Sequence, residues 1–166
     1  MSALSLTFRT AAHAERTGEV LVLLATVTHE SLETPIRVSS DPTTRLGTDP
    51  LRYGTVSRGD TYEFYPMSLV LPEDSEDTVP AMQWVLDNIS RQLVPLLRSV
   101  QTPAKVTIEL VLASAPDTVE ASWPEFDLVA AQPNALTVEL TLSTESDAAE
   151  PYPSGLFTPA GFGGLF

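Results

Sequence analysis

The chain has 166 residues, 43% of them apolar and 19% charged, which suits one domain with its own core. It has no cysteine, so disulfides, thiolate nucleophiles, iron–sulfur clusters and cysteine-based zinc sites are excluded. The net charge of −13 is one-sided. Arg9, Arg16, Arg37, Arg45, Arg52 and Arg58 balance six acids within residues 1–58, whereas only Arg91, Arg98 and Lys105 stand against the acids of 59–166, so tight nucleic-acid binding is not expected.

The longest apolar run, Val20 to Ala25, is too short for a membrane helix. The first residues lack the apolar stretch and cleavage site of a secretory leader, so an origin in the cytoplasm is expected.

In chain order, residues 5–16 predict a short helix, with Ser5 as N-cap, alanines inside and Thr17-Gly18 as the stop. Residues 19–28 predict a strand covered on both faces, and 35–38 a shorter one. Asp41-Pro42 and Asp49-Pro50 mark turns, and the sparse apolar content of 39–52 predicts an exposed loop. The runs 52–57 and 62–65 flank Arg58-Gly59-Asp60 at hairpin spacing. Pro66 and Pro72 bracket a strand at 67–71, which places it at a sheet edge. Residues 73–77 predict an acidic loop, and 82–86 a strand.

Asn88 is a suitable N-cap for the main helix, 88–99, whose apolar Ile89, Leu93, Leu96 and Leu97 share one face although Pro95 interrupts it. The clearest strands are 106–112 and 136–142. Val106, Ile108, Leu110 and Leu112 alternate like Leu136, Val138, Leu140 and Leu142, with Glu109 and Glu139 pointing the other way. These two strands are expected to share a core. A further strand at 125–129 is expected to make a hairpin with 135–142 across Pro133-Asn134. The segment 149–166 changes character. It is rich in Pro and Gly yet carries Tyr152, Phe157, Phe162, Leu165 and Phe166, and is expected to pack on its own domain or on a neighbour. The domain is thus 1–148, followed by an extended arm at 149–166.

Reactive motifs are missing from the sequence. There is no P-loop, dinucleotide fingerprint, nucleophile elbow or zincin motif. His13 and His29 are isolated, and nothing in the spacing unites either with Asp41 or Asp49 and Ser39 or Ser40 into a catalytic set. The acids of 73–77 lack the spacing and glycine of a calcium loop. Trp84 and Trp123 are core or interface anchors, without the basic surroundings of a base-stacking platform. No enzyme, cofactor or metal site is expected.

A set of ordered phrases carries a resemblance: Pro35-Ile36-Arg37-Val38, Leu71-Pro72-Glu73-Asp74, Asp87-Asn88-Ile89-Ser90-Arg91, the stretch 106–114 with 116–120, and the closing 157–166. On these the chain resembles a family of small phage and prophage tail proteins catalogued as domain of unknown function 1833, from about residue 19 to the end. It departs from the pattern at Gly163, where proline is expected. The resemblance implies a structural part of a phage-type tail, a ring or hub at the distal tip or baseplate of the virion, made in the bacterial cytoplasm. It also implies a fold of the tail-tube type: α+β, mostly β, a small two-sheet barrel or sandwich with one flanking helix. The implied partners are other copies of the chain, six in a ring rather than three, and neighbouring tail-tube and tail-tip proteins, with DNA only in passing. In that setting Tyr152, Phe157, Phe162, Leu165 and Phe166 are interface candidates, and Glu109 and Glu139 candidates for an acidic lumen. The alternatives are a tail-assembly adaptor or chaperone, or a carbohydrate-binding β-sandwich using Trp84 or Trp123.

Overall fold

The computed structural model describes residues 4–70, 81–87, 103–134 and 137–143. The expected main helix at 88–99, the acidic loop at 73–77 and the arm at 149–166 lie outside the described residues.

The chain opens with α1 (Leu6–His13). Ser5 caps it as its residue type predicts, its Oγ accepting from the Phe8 amide at 3.0 Å. Among the described residues ten strands follow: β1 (Leu21–Thr28), β2 (Ile36–Ser39), β3 (Thr44–Thr48), β4 (Leu51–Ser57), β5 (Asp60–Phe64), β6 (Met67–Val70), β7 (Ala81–Asp87), β8 (Lys105–Leu112), β9 (Ala115–Pro133) and β10 (Thr137–Ser143). The molecule is mostly β, as expected.

The strands hydrogen-bond in one continuous order, β3-β4-β5-β2-β1-β8-β9-β10-β7-β6. All described pairings are antiparallel except β2 with β5. The sheet is therefore open, with β3 at one end and β6 at the other, rather than closed into a barrel.

The sheet bends twice, because each face of its centre must be removed from water. On one face, Ala25 and Val27 of β1, Val38 of β2 and Val106 and Ile108 of β8 meet Met82, Trp84 and Leu86 of β7 and Val138, Leu140 and Leu142 of β10. The β10-β7-β6 end thus folds over the centre, and the expected shared core of the 106–112 and 136–142 strands is present. On the opposite face, Val22 and Leu24 of β1 and Val111 of β8 pack with Tyr62 of β5, so the β4-β5 end curls over that side. This explains why β1 is apolar on both faces. Each large side chain so buried contributes about 1.5–3 kcal/mol.

Two expectations are corrected. Residues 39–52 are not an exposed loop. They hold β3 and the start of β4, joined at Asp49-Pro50, whose peptide bond is cis, with Thr48 paired directly to Leu51. Strand β9 is far longer than 125–129. It begins at Ala115, pairs with β8 along its first half and with β10 along its second. The alternation expected of 106–112 is present: Val106 and Ile108 enter the first cluster, and Val111, opposite Val22 on the Glu109 face, enters the second.

Candidate functional site

The sheet's outer face is organised around the tip of the β4-β5 hairpin. Arg58 and Gly59 both adopt left-handed backbone, φ 51° and 85°, the conformation of a two-residue turn that matches strand twist. The Arg-Gly-Asp tripeptide is thus a hairpin turn. The tip docks on the β8-β9 corner: Ser57 Oγ donates to the Pro116 carbonyl at 2.7 Å, and the Arg58 amide donates to Asp117 Oδ1. The Arg58 guanidinium forks onto both carboxylate oxygens of Glu109, with Nη1 to Oε1 at 3.0 Å. That hydrogen bond, with burial working against it, holds the Arg58 pKa above its ordinary value.

Glu109 does lie opposite Val106 and Ile108, as alternation predicts. However, the hairpin covers it, leaving its side chain 15% exposed. Glu139 stands exposed on β10. Strand β9 separates the two carboxylates, so they do not form one cluster. The arm candidates Tyr152, Phe157, Phe162, Leu165 and Phe166 lie outside the described residues. Trp84 is 1% exposed in the core and its indole is unavailable to a glycan. Trp123 is half-buried against the same core.

Ser39, Asp41 and His29, weighed as parts of a catalytic set, have structural partners. Ser39 Oγ is 2.8 Å from Thr55 Oγ1 and accepts from the Asp41 amide at 3.1 Å. Asp41 in turn accepts from the Thr43 amide and hydroxyl. This buried network ties β2 to β4 and supports the chain between β2 and β3. His29 Nδ1 contacts Ser31 Oγ at 2.6 Å, and His13 is the last residue of α1. Among the described residues no three metal-ligating side chains converge, and no helix is long and apolar enough to cross a membrane.

Two features of the surface formed by the described residues stand out. The first is the pair of sheet ends. Leu51, Tyr53 and Val56 on β4 beside β3, and Val70 on β6, are exposed large apolar side chains, and no other described strand pairs with the outer edge of β3 or β6. The second surrounds α1, which buries none of its own residues. It is held instead by the buried Glu120 of β9, which accepts from the Ser5 amide at 2.7 Å and from the Ser5 hydroxyl. Between α1 and the ends of β1 and β8 runs a largely apolar groove of about 150 Å³, lined by Phe8, Ala11, Ala12, Leu21 and Leu112 with Thr17 and the carboxylate-bearing Glu19. Sequence reading missed this groove, because it arises from the distant contact between Ser5 and Glu120. The only local signal is the run of exposed apolar residues Leu4, Leu6, Val20 and Leu21.

Comparison with known families matches residues 7–154 to Domain of unknown function (DUF1833), and the chain belongs to that family. No curated protein matches the chain.

Proposed function

We propose that this protein is a non-catalytic structural subunit of a phage-type tail, in the ring or hub at its distal tip. It joins its neighbours through sheet edges and the C-terminal arm. The observation that carries the reading is the open sheet with exposed apolar side chains at both ends, Leu51, Tyr53 and Val56 at one and Val70 at the other. An open sheet leaves backbone donors and acceptors free to pair with another chain. Head-to-tail pairing of two different edges closes into a ring when the rotation per copy permits. Six copies suit a subunit of this single-domain size around a tube better than three.

The aromatic segment with Tyr152, Phe157, Phe162, Leu165 and Phe166 serves as the arm, since each buried phenyl ring adds about 1.5–3 kcal/mol before ordering costs. Glu139 is the remaining candidate for a lumen carboxylate past which DNA slides without adhering, Glu109 being engaged by Arg58. The partners are further copies of this chain and the adjoining tail-tube and tip proteins. The site of action is the virion, after synthesis in the host cytoplasm.

The test is removal of residues 151–166, followed by assembly with the tail components. The truncated chain is expected to keep its strand signal in circular dichroism and to fail to enter particles. Assembly at the normal level would sink the arm reading.

A further inference from the structure

The β3-β4 hairpin carries an apolar face that its own chain leaves uncovered. Thr55 and Ser57 of β4 are buried, bonded to Ser39 and to the Pro116 carbonyl. Leu51 and Tyr53 precede them on the same face by strand alternation, yet are 59% and 40% exposed. Arg45 lies opposite Tyr53 and Thr48 opposite Leu51, so both share that face. Arg45, Thr48 and the turn residue Asp49 are exposed. Neither Arg45 nor Asp49 makes an ion pair among the described residues.

The groove beside α1 has the complementary make-up. Its volume of about 150 Å³ accommodates one large apolar side chain. Phe8, Ala11 and Ala12 form the helix side, and Leu21, Leu112 and Glu19 the strand side. One carboxylate oxygen of Glu19 accepts from Ser114 Oγ at 2.7 Å, and the other has no partner among the described residues. Arg9 stands on the helix side, next to Phe8 and near Ala12 at helical spacing. It is exposed and makes no ion pair among the described residues. The groove is lined by no residue of its own chain's β3-β4 hairpin.

We infer that the β3-β4 hairpin of one copy docks in the α1 groove of a second copy. Leu51 enters between helix and strands, Tyr53 covers the rim, Arg45 meets the remaining oxygen of Glu19, and Asp49 meets Arg9. The apolar contact supplies affinity, and the crossed charges fix which way round the hairpin lies. Patch and groove are different surfaces, so the contact is head-to-tail and repeats from copy to copy, closing where the rotation permits. This rests on the proposed joining of copies through the sheet ends and gives the β3 end its receptor.

The chain has no cysteine, so single introduced thiols report the contact without background. Thr48→Cys keeps Leu51 in place, and Ala12→Cys lies at an exposed position in the groove wall. A bridge needs Cα atoms within about 7 Å, so these two full-length variants, mixed with mild oxidant, should form the mixed disulfide about tenfold faster than Val129→Cys mixed with Ala12→Cys. Val129 is exposed on β9. Adding Leu51→Ser to the Thr48→Cys chain should remove most of that advantage. Arg45→Glu or Glu19→Arg alone should slow bridging about fivefold, and the two together, one on each copy, should restore it. Equal rates for Thr48→Cys and Val129→Cys overturn the inference, as does a combined charge reversal that fails to restore bridging. If Leu51→Ser blocks entry into tail particles while Leu21→Asp in the groove does not, the docking fails and the tail reading stands. Bridging as expected from a chain absent from purified particles supports the docking and sinks the tail reading instead.

Discussion

Gly54 sits where β4 crosses closest to its neighbours. A methyl group there would lie 1.9 Å from the Tyr62 carbonyl oxygen and 2.7 Å from Leu46 Cδ1. Backbone on the far side cannot yield as a flexible side chain would, so Gly54→Ala should cost at least about 2 kcal/mol in denaturant unfolding. An unchanged midpoint would mean the β4-β5 contact is looser than described. Arg58→Asn keeps a residue tolerant of the left-handed turn but removes the fork onto Glu109. With Arg58 partly solvated, the expected loss is about 1 kcal/mol, and Arg58→Lys should recover part of it. The sign of the pH effect follows from the raised Arg58 pKa. A base whose folded value is raised contributes fully below its unfolded value and loses that contribution only as pH climbs through the folded one. Moving from neutral to mildly alkaline buffer should therefore leave this contribution intact, and Arg58→Asn should cost the same at both. At this scale the sequence was informative about the turn, because Arg-Gly-Asp between two strand-like runs admits few conformations. It was silent about the Glu109 pairing, since that joins residues 51 positions apart.

At the scale of elements, legibility followed the cleanliness of the pattern. Strand β10 alternates without interruption from Val138 to Leu142 and was readable. Strand β3, Thr-Arg-Leu-Gly-Thr, offers a single large apolar residue, so the sequence marks the Asp-Pro turn after it but predicts loop over the strand itself. It is strand through pairing with β4, not through its own preference. Strand β9 was read only in part because bulges and the positive-φ residue Glu125 break its period while leaving its ladder intact. Helix α1 was legible from its cap, but its attachment was not. Glu120→Gln should weaken the hold on Ser5, and hydrogen exchange across α1 should accelerate while the amides of β8 and β10 remain protected. Equal acceleration everywhere would mean Glu120 supports the whole domain instead. For the edges, Leu51→Lys with Val70→Lys places charge at exposed strand positions. It should leave thermal unfolding within about 0.5 kcal/mol and reduce incorporation into assemblies strongly. Normal incorporation would remove the sheet ends from the interface.

Over the whole molecule, one sheet serves as its own second layer. Its two ends curl over opposite faces of β1 and β8, so a chain without disulfides builds two apolar clusters from a single ladder. Composition and alternation made the mostly β character legible. The order of strands was not, since the parallel β2-β5 pair and the β1-β8 pair are set by distant packing. The proposed assembly surfaces rest on residue types, aromatic near the C-terminus and acidic on outward strand faces, and in the structure Glu109 is paired with Arg58. The central claim is that this chain persists as a structural part of a tail. Quantitative mass spectrometry of purified tail particles, from cells encoding the chain, addresses it most directly. The account predicts the chain in a fixed ratio to the tube subunit, at one ring's worth of copies per particle. Intact particles that lack it would contradict the account.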